Sequence, residues 1–272
     1  MNYRHSFHAG NFADLVKHAL VLWLLKTRQA SGPVTVLDTH AGAGLYDLTG
    51  DAARSREAEA GVARLMAAEN RSPLIEALAA QVEALNPQGG VRFYPGSPVL
   101  IARALGQGDR YVGFELRDEV AGLLRESLKG FAQARGEIGD GYERVFAEAR
   151  QTRGAVVLID PPFERPDDYV RAAETAGTIV TSDPEAVVAI WTPLKDLETF
   201  DGFLRRLAGT TASPTLVAEA RLRPLTDPMK MNGCAMVVVN PPAGSDAAAT
   251  EVCGWVAGTL GDVGARAEVW RV

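Results

Sequence analysis

Apolar positions in this chain fall into short tight runs separated by stretches of helical periodicity. Val34-Thr35-Val36-Leu37-Asp38, Tyr111-Val112-Gly113-Phe114-Glu115, Ala155-Val156-Val157-Leu158-Ile159 and Ala186-Val187-Val188-Ala189-Ile190-Trp191 read as strands. Such nearly continuous runs suit strands covered by helices on both faces. Between them the spacing changes. Leu15, Ala19 and Leu22 recur at helical intervals, predicting a helix over 11–29 with Asn11 as its N-cap. Further helices are expected from about Ser97, near 117–130, from Tyr142 to Arg150, over 167–180, 196–208 and roughly 248–260, the last with Ser245 or Asp246 as N-cap. Val91 to Pro95 reads as a short strand, and Thr215–Leu222, Ala235–Asn240 and Ala265–Val272 as late strands. This alternation predicts an α/β fold with a mostly parallel, doubly wound sheet, and the strand-dense end predicts late antiparallel pairing.

Residues 50–90 break the alternation. They are rich in Ala, Glu and Arg and close on Asn86-Pro87-Gln88-Gly89-Gly90, which predicts a helical insertion after the first strand rather than a separate domain. One domain over 1–272 is therefore expected.

Composition narrows the class. Of 272 residues 47% are apolar and 23% charged, ordinary for a globular protein, and no apolar run approaches membrane-spanning length. The start, Met1 to His8, lacks the apolar core of a signal peptide. The two cysteines, Cys234 and Cys253, sit in apolar contexts and read as buried thiols. A cytoplasmic location is expected. The net charge of −6 argues against a general nucleic-acid coat but leaves room for an enzyme with a local basic cleft.

Asp160-Pro161-Pro162-Phe163 carries the most chemical information. It follows a buried strand, where α/β sheets place their ligands. The prolines cannot continue the sheet, Asp160 supplies an acceptor and Phe163 an apolar face. Acceptors beside a stacking surface suit a planar ring bearing an amino group, such as adenine. Asp38-Thr39-His40-Ala41-Gly42-Ala43-Gly44 follows the first strand, with glycines that permit close ligand approach. A dinucleotide site would place a third glycine at Asp47, so the pattern favours a nucleoside ligand without pyrophosphate. Glu115, at a strand end, can accept both hydroxyls of a ribose. Asp140-Gly141 falls where a third strand–helix loop belongs; Asp140 could bind an adenine amino group, and a plain turn fits equally well.

All four histidines, His5, His8, His18 and His40, fall in the first 40 residues. Asp14 and His18 share a helix face, but without a His-x-x-x-His pair or a nearby cysteine no metal is expected. The N-terminal segment, residues 1–30, is instead expected to fold as a lid over the pocket near His40, with Arg4 and Lys17 forming a basic spot for a phosphate. Asn240-Pro241-Pro242-Ala243 copies the opening motif without its carboxylate or aromatic and reads as a structural strand end.

These segments in this order resemble class I S-adenosylmethionine-dependent methyltransferases acting on exocyclic amino groups. With Tyr3-Arg4-His5-Ser6-Phe7-His8-Ala9-Gly10-Asn11 and Tyr94-Pro95-Gly96-Ser97-Pro98 they look more narrowly like the RlmJ family, bacterial 23S ribosomal RNA (adenine(2030)-N(6))-methyltransferases. The resemblance covers nearly the whole chain. It implies a Rossmann-like fold with a small helical subdomain, S-adenosyl-L-methionine as cofactor and 23S ribosomal RNA as partner; no membrane association and a monomer are expected besides. It makes Asp160 catalytic, has His18, His40, Ser97, Glu115, Asp140 and Gly141 contact the cofactor, and has Tyr3 touch the RNA. For a target adenine, Asp160 and the Pro161 carbonyl are expected to accept the two N–H bonds of the amine, and Phe163 to stack on the base. Two positions depart from the family: Phe12 stands where His is common, and Phe163 where Tyr is common. The rival readings are a DNA adenine or protein glutamine amide as methyl acceptor, a nucleotide-dependent oxidoreductase, and a silent RNA-binding module.

Overall fold

The computed structural model describes residues 8–49, 56–165, 167–226 and 231–272. Four apolar runs become the central strands: β1 (Thr35–Asp38), β4 (Arg110–Glu115), β6 (Val156–Ile159) and β7 (Val187–Leu194). β5 (Ala134–Ile138) joins β4, so that five strands, in the order β5-β4-β1-β6-β7, run parallel. β9 (Gly233–Val239) then pairs antiparallel with β7, β8 (Thr215–Arg221) with β9, and β10 (Arg266–Arg271) with β8. The chain reverses direction across the sheet at β1, which lies between β4 and β6. A ligand crevice is expected at that switch point, outside the carboxyl ends of the strands.

Strand periodicity sorts the side chains into two cores. Val36, Val156, Leu158 and Ala189 face one; Leu37, Val157, Ile159 and Ile190 face the other. The first core is covered by α1 (Phe12–Gln29), α4 (Ser97–Ala104), α5 (Asp118–Leu128) and α9 (Ser245–Leu260). The second is covered by α6 (Gly141–Ala149), α7 (Asp168–Ser182) and α8 (Leu197–Thr210). Between the first and fourth strands lie a small hairpin-like pair, β2 (Leu45–Asp47) with β3 (Phe93–Pro95), and the helical segments Glu59–Ala63, α2 (Arg64–Ala67) and α3 (Pro73–Glu83).

Several expectations change. β2 and β5 were not read from the sequence as strands. α9 begins at Ser245 and is preceded by Gly244 at φ 90, so neither Ser245 nor Asp246 is its N-cap. Asn11 does cap α1, accepting from the Asp14 backbone N–H. Most of the expected lid is not a lid. α1 is buried from Phe12 to Val21, with Leu15 and Val16 fully enclosed, and packs against α3, α4 and α9. Residues 1–7 lie outside the described residues.

The role of α1 in the core is testable by truncating one side chain. Leu15→Ala should destabilise the protein by about 2–5 kcal/mol in urea unfolding, as for a fully buried leucine. A loss under about 0.5 kcal/mol, the range of exposed positions, would return α1 to the surface.

Candidate active site

Every chemistry-bearing loop except one opens on the carboxyl edge of the parallel strands. Asp38 ends β1, Glu115 ends β4, Asp140 follows β5 and Asp160 follows β6. The exception is Asn240. β9 runs antiparallel, so its end lies on the opposite edge, where the Asn240 amide donates to the Pro184 and Ala186 carbonyls. Its motif is structural, as expected.

Two chambers meet at this edge. One, of about 290 Å³, is lined by His40, Gly42, Glu115, Asp140, Gly141 and Arg171, among others. The larger, of about 540 Å³, includes Lys17, Trp191, Pro193, Lys195 and Arg223 in its wall. Asp160, Pro162 and Glu164 line both and form their junction. Among the described residues, a group in one chamber can meet a group in the other beside Asp160, Pro162 and Glu164.

Asp160 is buried, and Lys17 Nζ donates to its Oδ2 at 2.6 Å. The same ammonium lies 2.8 Å from Asp14 Oδ1, while Asp14 Oδ2 accepts from the Gly10 backbone N–H. Burial works against the Lys17 charge, but Asp14 and Asp160 outweigh it and hold its pKa well above the ordinary value. Lys17 is thus an internal cation and not the surface phosphate contact expected of it. The signal that could have found it is a polar set, Asp14, Lys17 and His18, in a helix turn otherwise apolar all round.

The smaller chamber brings together four of the six expected cofactor residues. Gly42 and Gly44 adopt φ 67 and 84, the left-handed conformation that lets the loop turn sharply. No helix opens at Gly44; β2 begins instead, so the helix N-terminus that receives a dinucleotide's pyrophosphate is missing there. Glu115 accepts from the Arg117 backbone N–H at 3.0 Å. Asp140 caps α6 through the Tyr142 N–H and accepts from Arg171 at 2.8 Å. Burial opposes the Asp140 charge, yet Arg171 holds its carboxyl below the usual range. A Cβ on Gly141 would sit 1.8 Å from the Thr39 carbonyl oxygen, so only glycine lets α6 abut the β1 loop. His40 packs edge-on against Tyr142, and burial pushes its imidazole down to about 4, with Asp160 and Asp140 offsetting only part of the shift.

The remaining expected residues stand elsewhere. His18 and Ser97 line neither chamber. His18 is buried with Nδ1 2.8 Å from the Tyr94 hydroxyl. Ser97 donates to Asp38 Oδ2, which also accepts from the Tyr111 hydroxyl. Burial pushes the Asp38 carboxyl up to about 6, against these hydrogen bonds. Pro161 is buried outside both chambers; Pro162 is the proline that lines them. Phe163 is a correction of substance. It is 5% exposed, adopts φ 50 and packs 4.5 Å from Tyr169 and 6.0 Å from Trp191. A bulky residue at positive φ is a strained turn held by its surroundings. Its ring props the loop from behind; the large aromatics that line the larger chamber are Phe12 and Trp191, and the sequence singled out neither as a stacking face. Tyr3 lies outside the described residues.

Comparison with known proteins agrees with this geometry. The family model described as "Ribosomal RNA large subunit methyltransferase D, RlmJ" matches residues 31–272. The chain is 32% identical over 245 residues to "Ribosomal RNA large subunit methyltransferase J" of Escherichia coli (strain K12), covering 89% of this chain and 88% of that protein. It is 29% identical over 265 residues to the protein of the same name from Haemophilus influenzae, covering 96% and 94%. The crystal structure of a Legionella pneumophila protein shares its fold, with a TM-score of 0.86 at 24% identity over 97% of this chain and 98% of the other. The chain belongs to the RlmJ family.

The buried charges give two expectations. Lys17→Met should cost roughly 3–5 kcal/mol of stability by stranding two carboxylates, and adding Asp14→Asn should recover part of it. Urea titration of both variants checks this; a loss below 1 kcal/mol would show that Lys17 is not internal. His40 should stay neutral down to about pH 4, against 6.5 in the unfolded chain. Between those values the unfolded chain binds more protons, so His40 should contribute a loss of stability as pH falls from 6.5 towards 4. Histidine NMR titration reads the first, and the pH dependence of the stability difference from His40→Asn the second. Titration of His40 near 6.5 would contradict both.

Proposed function

We propose that the chain methylates the exocyclic N(6) amine of one adenine in 23S ribosomal RNA, at the position matching adenine 2030, with S-adenosylmethionine as donor. The observation that carries this reading is the single junction at Asp160 between a nucleoside-sized chamber and a wider one. The donor set of the smaller chamber suits the cofactor: Glu115 offers a carboxylate to vicinal hydroxyls, Asp140 an acceptor to an adenine amino group, and the Gly42 loop close backbone approach. His18 and Ser97 would support that chamber from behind, through Tyr94 and Asp38. The cofactor supplies an electrophilic methyl group on a sulfonium.

The rest is done by the protein. The target amine is a poor nucleophile because its lone pair is delocalised into the ring. Asp160 accepts an N–H of that amine, drawing the nitrogen towards sp³ geometry and freeing its lone pair for the methyl carbon. With one carboxylate oxygen fixed by Lys17, the other is left in a defined direction. The positive charge that grows on nitrogen is stabilised by the same carboxylate; the methyl carbon would exchange its bond to sulfur for one to nitrogen, and the methylated nitrogen would release its proton to solvent. The base reaches this point only by leaving its stack, and Pro162 and Trp191 offer apolar faces to it in the larger chamber. A neutral His40 adds no positive charge beside the sulfonium. We further read the chain as one catalytic domain, monomeric and acting in the cytoplasm; no helix among the described residues is long and apolar enough to cross a membrane.

Three measurements test the reading together. Ribosomal RNA from a strain lacking the protein should lose one N(6)-methyladenine by mass spectrometry, restored by the intact gene. Asp160→Ala should nearly abolish transfer with cofactor affinity within a few-fold, whereas Glu115→Ala should weaken cofactor binding by roughly 1.5–3 kcal/mol in calorimetry. An unchanged RNA profile, or near-normal turnover by Asp160→Ala, would overturn it. Methylation of DNA adenine or a glutamine amide by the purified protein, with rRNA untouched, would transfer the mechanism to another acceptor.

A further inference from the structure

We propose that Lys195 and Arg223 form a phosphate clamp for the polynucleotide that carries the target adenosine. The inference rests on the methyltransferase reading and adds to it where the RNA backbone leaves the enzyme. The target amine must lie at the Asp160 junction, and the smaller chamber beyond it is taken by the cofactor. The sugar and its phosphates therefore leave through the larger chamber. Its wall away from α1 is made by the end of β7, which contributes Pro193, and by the segments after β7 and β8, which contribute Lys195, Leu222 and Arg223.

The charges lining this chamber are not equivalent. Lys17 is neutralised by Asp14 and Asp160. His8 is paired with Glu57, whose hydrogen bond raises the imidazole pKa. Neither has charge to spare for a ligand. Lys195 is exposed, and no ion-pair or hydrogen-bond partner holds it among the described residues. Arg223 makes one ion pair, Nε to Asp262 Oδ2 at 3.0 Å, with side-chain exposures of 39% and 63%. So exposed a pair is weak, and it leaves the outer guanidinium nitrogens available. An ammonium and a guanidinium on the exit wall of a base-sized chamber are the groups that bind successive phosphates. An acidic chain needs such cations locally, because its overall field repels RNA.

Filter binding of a 23S rRNA transcript spanning the target adenine, over a series of salt concentrations, tests the clamp. Lys195→Ala combined with Arg223→Gln should weaken binding about tenfold or more. The slope of log Kd against log salt should flatten by about 1.4 for two lost contacts to a single strand. Lys195→Arg should keep the slope, and the cofactor's Kd should move less than twofold in all variants. Unchanged RNA affinity and salt slope in the double variant would overturn the clamp. If the wild-type protein binds the transcript with the steeper slope but transfers no methyl group, the clamp stands and the methyltransferase reading falls.

Discussion

The ammonium of Lys17, held between Asp14 and Asp160, is the constraint on which the site depends. It joins the first turn of α1 to the loop after β6, two segments far apart in the chain. A buried charge costs several kcal/mol to desolvate and survives only with close partners. Both carboxylates must therefore be brought to Lys17, which fixes where α1 lies on the sheet and where Asp160 stands at the chamber junction. The Asp14 carboxylate is tied in turn to the Gly10 N–H, so chain entry into α1 belongs to the same network. Such a network is weak evidence for stability, since an apolar replacement of all its members could be as stable. What it secures is direction, because a carboxylate with one oxygen held has few orientations left for the other.

Around that point the sheet does the sorting. Four successive parallel strands deliver Asp38, Glu115, Asp140 and Asp160 to one edge because right-handed crossovers return the chain each time to the opposite edge. The antiparallel direction of β9 sends Asn240-Pro241-Pro242 to the far edge, so two nearly identical tripeptide contexts acquire unrelated roles from strand direction alone. Asp38 is the clearest example of a motif residue serving geometry. It gathers Ser97 from the start of α4, Tyr111 from β4 and the His40 backbone N–H, and so sets the loop that shapes the smaller chamber.

Legibility in the sequence followed the strength of the local signal. The central strands declared themselves because both faces are buried and their inner positions are nearly all apolar. β5 did not, because Ala134-Arg135-Gly136-Glu137-Ile138 is an edge strand with no fully buried residue. β2 did not, because three residues beside a glycine loop carry no period. Glu115, Asp140, His40 and Asp160, singled out at or after strand ends, all line the smaller chamber because this fold class opens its crevice at that edge. Lys17 was misjudged because a lysine in a helix is ordinarily solvated, and only tertiary packing against Asp160 reveals otherwise. Phe163 was misjudged because its left-handed backbone sends the ring away from the chambers, and nothing in the residue types Asp-Pro-Pro-Phe announces a positive φ. Trp191 was read only as the end of a strand, whereas the register of β7 sets it into the chamber wall.

The charges of the two chambers show how an acidic protein can serve a cationic donor and an anionic acceptor at adjacent points. The smaller chamber is lined by five carboxylates and three arginines. Those arginines pair with carboxylates, Arg117 with Glu115, Arg165 with Asp167 and Arg171 with Asp140. The remaining field is negative, and His40 adds nothing to oppose it because burial keeps the ring neutral. A sulfonium is favoured there and a phosphate is not. In the larger chamber the Lys17 ammonium is held between two carboxylates, and Trp191 and Pro162 offer apolar surface that suits an uncharged base. Asp160 is the one carboxylate common to the junction and to the Lys17 network, which is why the proposed function has the methyl group and the amine meet there.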